Sequence, residues 1–246
     1  MRSGLWRRIA GFFRQDWPQA VRALSGDILV AALLMAIGTA LGLVLVRESP
    51  DWFYAIVPGE LAGGREPGAS EEMLRSTLYA DGTEGAGVFA TALFVHNAQV
   101  ALLAFALGFA LCLPTALLII SNGAMLGAMA AIFIERGLGV ELFGWLLIHG
   151  VTELLAVVIA GGAGFRIGWS IAFPGALTRL EAARRAGQSS ARAMAGVLVM
   201  LVVAGVLEGF ARQAVTLDAV RYAIAGVTAL VWGLYFWGPR RLHGER

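Results

Sequence analysis

From residue 28 onward, apolar positions run in blocks too long and too even for the alternating faces of a soluble domain. Ile28–Val46 is about 20 residues of nearly unbroken hydrocarbon, enough for a helix to cross a bilayer core of roughly 30 Å. Blocks near 89–111, 115–134, 142–164, 193–210 and 220–238 share that character, so the pattern predicts six transmembrane helices. Pro114 falls between the second and third blocks and predicts a tight hairpin there. Residues 3–24 differ. Leu5, Trp6, Ile9, Phe12, Phe13, Trp17, Val21 and Leu24 recur at helical spacing, with Arg7, Arg8, Arg14 and Arg22 among the polar positions. That is a basic amphipathic helix of the kind that lies in a headgroup layer, with Pro18 kinking or restarting it. Packing against the protein's own cytoplasmic face fits the same stripe.

The polar segments fix the expected topology. Arg47 to Gly87 carries eight acids against three Arg, punctuated by Gly and Pro, with a short helix expected over Glu71–Tyr79 and an interfacial anchor at Trp52, Phe53 and Tyr54. The stretch after the fourth block carries Arg166, Arg179, Arg184, Arg185 and Arg192 against Glu181 alone, and the tail adds Arg240, Arg241 and Arg246. By the positive-inside rule both termini face the cytoplasm. The expected organisation is a cytoplasmic interfacial helix (1–26), the first span (27–46), an acidic extracytoplasmic loop (47–88), spans two to four (89–164), an Arg-rich cytoplasmic loop (165–192), spans five and six (193–238) and a cytoplasmic tail (239–246). Arg7, Arg8, Arg14, Arg166, Arg184 and Arg185 are the candidate lipid or cytoplasmic interface.

Composition agrees and narrows the chemistry. Of 246 residues, 58% are hydrophobic and 15% charged, and the mean hydropathy is +0.73, values that define a polytopic membrane protein. All 19 residues counted as Lys or Arg are Arg, so lysine nucleophiles and Schiff bases are excluded. A single cysteine, Cys112, excludes an intramolecular disulfide and a multi-cysteine metal site, and reads as a small packing residue. The first apolar run is too long, and begins too late, for a cleavable signal peptide. The basic pI is explained by topology, and no nucleic acid is expected.

Against this background the ionisable residues inside the apolar blocks call for a reason, since each costs about 2.5–3.5 kcal/mol to insert. His149 and Glu153 lie four residues apart on one face of the fourth span. At about 1.5 Å per residue, His149, His96, Asn97 and Glu208 fall in one layer of the outer half, with Glu153 and Asn122 just beneath. Three readings stay open for this intramembrane polar cluster. It fastens helices together, it lines a pocket for a lipid, ion or proton, or it forms a metal or catalytic centre. The i, i+4 pair has ligand spacing, but there is no HExxH and no nucleophile with a partner, so neither a metal nor a cofactor is expected. Gly123 and Gly127, spaced as GxxxG, and Gly161, Gly162 and Gly164 are expected to be helix-packing positions.

The run HGVTELLAVVIAGGAGFRIGWSIAFPG (His149 to Gly175) resembles the signature of the stage II sporulation protein M family. FFRQDWPQAVRAL (Phe12 to Leu24), VALLAFALG (Val100 to Gly108), NGAMLGA (Asn122 to Ala128) and LEGF (Leu207 to Phe210) follow the same order, so the resemblance runs over essentially the whole chain. It is nearest to the branch found in genes clustered with a MoxR-type AAA ATPase. It departs at HNAQ (His96 to Gln99), where relatives show two Asn followed by an Arg. The resemblance implies an all-α inner-membrane protein acting as a non-enzymatic scaffold in envelope maintenance. Its expected partners are the lipid bilayer and proteins of the membrane or periplasm, with a homo-oligomer open. The alternative is a transporter or lipid-handling permease whose path is lined by the His/Glu cluster.

Overall fold

The computed structural model describes residues 2–79 and 84–239, with side chains described for 4–79, 91–206 and 215–239. Among these residues every regular element is helical. Six helices are long and apolar enough to span a membrane: α3 (Ser25–Glu48), α7 (Glu84–Ala106, whose apolar stretch continues through a 3₁₀ turn to Phe109), α8 (Leu113–Glu135), α9 (Gly139–Ala172), α10 (Arg179–Ala214) and α11 (Asp218–Trp237). Three short helices, α4 (Asp51–Ile56), α5 (Gly59–Ala62) and α6 (Glu71–Tyr79), follow α3 and cap one end of the bundle. The chain begins with α1 (Arg2–Gly11), a π-helical turn (Phe12–Asp16) and α2 (Trp17–Ala23) at the opposite end.

The axis of the bundle is α9, which packs on α3, α7, α8, α10 and α11. In its apolar window 67% of residues are buried, against 17% for α11, which lies at the edge. Its run of small residues admits neighbours to backbone distance. Gly162 faces Ile28, Gly161 faces Ile119 and Ala31, Gly164 meets the Ala104 carbonyl, and Gly168 meets Gly108 and Cys112 in the α7–α8 turn. That turn is as tight as Pro114 implies. Pro114 sits in the first turn of α8, preceded by Leu111 and Cys112 in left-handed backbone at φ 59° and 71°. Side-chain residues pay about 1–2 kcal/mol each for that conformation, and the contact of the turn with Gly168 holds it.

The closest helix pairing is α3 on α8. The expected Gly123 and Gly127 lie against the backbone of Met35 and Thr39, and Gly38 and Gly42 lie reciprocally against Ile120 and Ala124. Two GxxxG motifs therefore face each other, Gly38 and Gly42 on α3 and Gly123 and Gly127 on α8.

At the end opposite the cap the helix restarts beside Pro18, as expected, so that α1 and α2 are separate elements. Pro18 cannot donate a backbone N–H, and the chain widens into a π turn just before it, with Trp17 N–H bonding to Phe12 O. α1 exposes Leu5, Trp6 and Ile9, whereas Trp17 and Val21 of α2, and Leu24 just after it, are buried in the main core. The Trp17 indole is ringed by Phe12, Phe13, Trp232, Tyr235 and Phe236, over Gly196, where any Cβ would overlap the indole ring. The hydroxyl of Tyr235 donates to Phe13 O at 2.5 Å. The Arg-rich stretch 165–192 is likewise mostly helix, because α9 and α10 extend past their apolar blocks and break only over 173–178. Arg184 and Arg185 are exposed and pair with Glu181 on their own helix at 3.8 and 2.8 Å, contacts worth a few tenths of a kcal/mol. Arg7, Arg8 and Arg14 are exposed. Arg166 instead joins elements: it bonds Asp27 at 2.6 Å and Ala23 O at 2.7 Å, tying α9 to the α2–α3 junction.

The acidic segment folds onto the bundle over 51–79. The expected helix at Glu71–Tyr79 forms as α6, and Phe53, Leu61, Leu74 and Leu78 enter a second core with Phe133, Leu138, Leu142 and Trp145. Of the expected aromatic anchor, Trp52 and Tyr54 are exposed, but Phe53 is fully buried. Arg221, only 1% exposed, fastens this cap. It donates to Leu78 O, Val215 O and Asp218 at 3.3, 3.0 and 3.1 Å, and its guanidinium lies 4.7 Å from the Tyr79 ring centroid. The Tyr79 hydroxyl donates to the Asp218 carboxylate at 3.1–3.2 Å. Burial, and then the bond to Asp218, raise the Tyr79 pKa above its ordinary 10.0. A phenol with a raised folded pKa contributes stability that is complete below its unfolded pKa and is lost as pH climbs through the folded value. The cap is expected to loosen above about pH 10. Amide hydrogen exchange of α6 as a function of pH checks this, and a Tyr79→Phe variant should show no such transition.

Candidate functional site

The intramembrane polar residues meet where α7, α8 and α9 pack together. On α9, Leu142, Leu146, Gly150 and Leu154 follow one another at one-turn intervals, and Glu153 stands beside them. They form one wall of a cavity of about 80 Å³, with Leu93 and Asn97 from α7 and Asn122, Met125, Leu126 and Met129 from α8 forming the others. Leu61 and Arg65 of the cap, with Phe133 and Trp145, close the end nearer the cap. A second, smaller space of about 60 Å³ lies on the far side of Asn122 and Met125, bounded by His96 and Ser121.

Two hydrogen bonds cross between helices in this layer. Asn97 Nδ2 donates to Glu153 Oε2 at 2.6 Å, linking α7 to α9. His96 Nε2 and Asn122 Oδ1 lie 3.3 Å apart, linking α7 to α8. Glu153 is 2% exposed, and its other oxygen, Oε1, has no hydrogen-bond partner among the described residues. Four of the six expected cluster residues thus converge. His149 is completely buried on the same face of α9, edge-on to Trp145 with ring centroids 5.6 Å apart, and does not line the cavity. The side chain of Glu208 lies outside the described residues. Further bonds knit the bundle nearby: Trp232 Nε1 donates to Thr152 Oγ1 at 3.0 Å and Thr115 Oγ1 to Ala104 O at 2.9 Å. Among the described residues no three His, Cys, Asp or Glu side chains converge as metal ligands would.

Arg65 was the member the sequence did not announce. It is 6% exposed, with its guanidinium 5.8 Å from the Trp145 ring centroid. In sequence it is one of three Arg in an acidic loop. The available hint was Gly63–Gly64 immediately before it, both with positive φ (52° and 82°), which turns the chain back over the bundle.

An Asn97→Leu substitution should leave the Glu153 carboxyl without its donor. Interhelical hydrogen bonds in membranes average about 0.6 kcal/mol, but a buried group stripped of its partner costs about 1–3 kcal/mol. The expected loss of unfolding free energy lies in that larger range, measured by steric trapping in bicelles.

Fold and site together define an all-α polytopic membrane protein with a polar layer inside its bundle and a folded cap at one end. The chain belongs to the stage II sporulation protein M family, matching the family described as Stage II sporulation protein M over residues 30–211. The match takes in α7, α8 and α9, most of α3 and nearly all of α10. It is narrower than the motifs suggested, because Phe12 to Leu24 and α11 lie outside it. No curated protein and no solved structure matches the chain.

Proposed function

We propose that the protein is a non-enzymatic scaffold of the bacterial cytoplasmic membrane that assembles partners for envelope maintenance, with both termini in the cytoplasm. The observation that carries this reading is the cap. Residues 51–79 are held on the bundle by a buried core and by Arg221, so the chain presents a firm acidic surface, including the exposed Glu60, Glu71 and Glu72, to one side of the membrane. A surface built this way suits docking of a periplasmic protein. At the other end the exposed Arg184, Arg185 and Arg192 of α10 and the amphipathic α1 suit anionic lipid or a cytoplasmic partner. Family membership supports the reading by analogy. A tagged copy purified from native membranes should retain a specific envelope protein, and a triple Glu60→Gln, Glu71→Gln, Glu72→Gln variant should lose it while staying folded. Recovery of the protein without any specific partner would end this proposal.

A second reading, a transporter or lipid-handling permease, draws on the cavity beside Glu153. Flux in reconstituted liposomes that disappears in Glu153→Gln and Glu208→Gln variants would favour it; a scaffold keeps its partners in both.

A further inference from the structure

The polar layer has one open side. Asn97 joins α7 to α9 through Glu153, and His96 joins α7 to α8 through Asn122, at 2.6 and 3.3 Å. Among the described residues no side-chain hydrogen bond of this layer joins α8 to α9 directly. Yet Asn122 of α8 and Glu153 of α9 line the same cavity, with Asn97 beside them. Glu153 is 2% exposed, and its Oε1 atom is buried without a hydrogen-bond partner among the described residues. The two buried amides are only partly engaged. Asn97 donates through Nδ2 and Asn122 accepts through Oδ1, which leaves the Asn97 carbonyl oxygen and the Asn122 amide nitrogen for the cavity. Three polar groups thus border one space of about 80 Å³. A buried water needs roughly 10–15 Å³ and about two to four polar partners, so the space has room for more than one.

We propose that this cavity binds a small cluster of water that bridges Asn122 on α8 to Glu153 on α9, with the Asn97 carbonyl as a further partner. The three groups differ in what they need. An amide nitrogen donates and an amide oxygen accepts, whereas a carboxyl oxygen accepts when ionised and accepts or donates when protonated. Water does both, so it serves all three in either protonation state of Glu153. An ion of one sign serves only part of the set. A hard cation would also want about six oxygens, and here Asn122 Oδ1 and Glu153 Oε2 are already engaged. The remaining walls, with Leu93, Met125, Leu126 and Leu154 among them, are apolar, so the cluster gathers around the three polar side chains. A bridging water is nearly as good as a direct hydrogen bond. The cluster therefore closes the triangle of α7, α8 and α9. A scaffold and a permease can both hold it, so the inference rests on neither reading above.

The test is water-edited solid-state NMR on the isotope-labelled full chain in liposomes, which follows magnetisation from water into the protein. It should reach the side-chain carbonyl carbons of Glu153, Asn97 and Asn122 at rates near those of the exposed Glu71 and Glu72, although the first three are buried. Val157, fully buried one turn along α9 from Glu153, should receive almost none. Gly150 provides a variant outside the hydrogen bonds. It lines the cavity, and a Cβ there meets nothing closer than the Leu146 side chain at 3.4 Å. Gly150→Leu therefore fills the space without meeting backbone and should abolish transfer to Glu153. Glu153→Gln keeps an acceptor and should retain the water, whereas Glu153→Met should remove it from Asn122. That pair carries the test if Gly150→Leu fails to fold. Transfer to Glu153 no faster than to Val157, contacts from lipid acyl chains in place of water, or transfer that survives Gly150→Leu would overturn the proposal.

Discussion

Replacing Gly127 with Val is expected to cost about 3 kcal/mol or more of stability, at or above the upper end of what overpacking usually costs. A Cβ at Gly127 would fall on the Thr39 carbonyl and within 2.8 Å of the Leu43 nitrogen, and both are backbone atoms of α3. Side chains can rotate away from an intruding methyl; a helix backbone can only retreat. Because Gly123 makes the same approach and Gly38 and Gly42 make it in return, the two helices would separate along the whole contact and lose dispersion on both faces. Gly226→Val on α11 is the control, since nothing lies within 4 Å of that position. Unfolding midpoints in mild detergent should fall sharply for the first variant and stay within error for the second. Equal midpoints would refute the backbone contact.

Arg221→Met should produce the second large effect, confined to one end of the molecule. It leaves Asp218, Leu78 O and Val215 O without their shared donor, and removing one partner of a buried ion pair costs about 3–5 kcal/mol. The Asp218 side chain is 30% exposed and can recruit water, which places the expectation near 3 kcal/mol. Arg221→Lys should not rescue it, because a single ammonium cannot reach acceptors spread around a planar fork. Hydrogen exchange should accelerate over residues 71–79 while residues 113–135 keep their protection. If both regions open together, the cap and the bundle are one cooperative unit and Arg221 is no local fastening.

The candidate site was half legible in the chain. His96, Asn97, Asn122 and Glu153 stood out because ionisable and amide side chains are conspicuous in apolar helices, and their depth followed from helical rise. Which of them touch did not follow, because depth leaves the rotation of each helix open. Asn97 reaches Glu153 while its neighbour His96 reaches Asn122, a difference of about 100° around α7. Arg65 and Arg221 were hidden for another reason. Arg65 belongs to a polar loop and Arg221 to the first turn of the sixth span, both places where Arg is ordinary, and only the fold of the cap buries them. Trp17 is the reverse case: its helical stripe predicted an apolar face, and the face proved to be core at α2 and open at α1.

By itself the sequence determined what a bilayer imposes. Six apolar lengths become six helices because backbone polar groups have no other partners in hydrocarbon. Proline and glycine set where the chain turns, and paired small residues mark where backbones meet. Tertiary structure alone decided which faces those contacts select, how 51–79 folds over the bundle, and how Arg65 and Glu153 come to line one cavity. Those outcomes depend on the relative rotation and crossing of helices, and on long-range bonds such as Arg221 to Leu78 O. Neither hydropathy nor local periodicity contains that information.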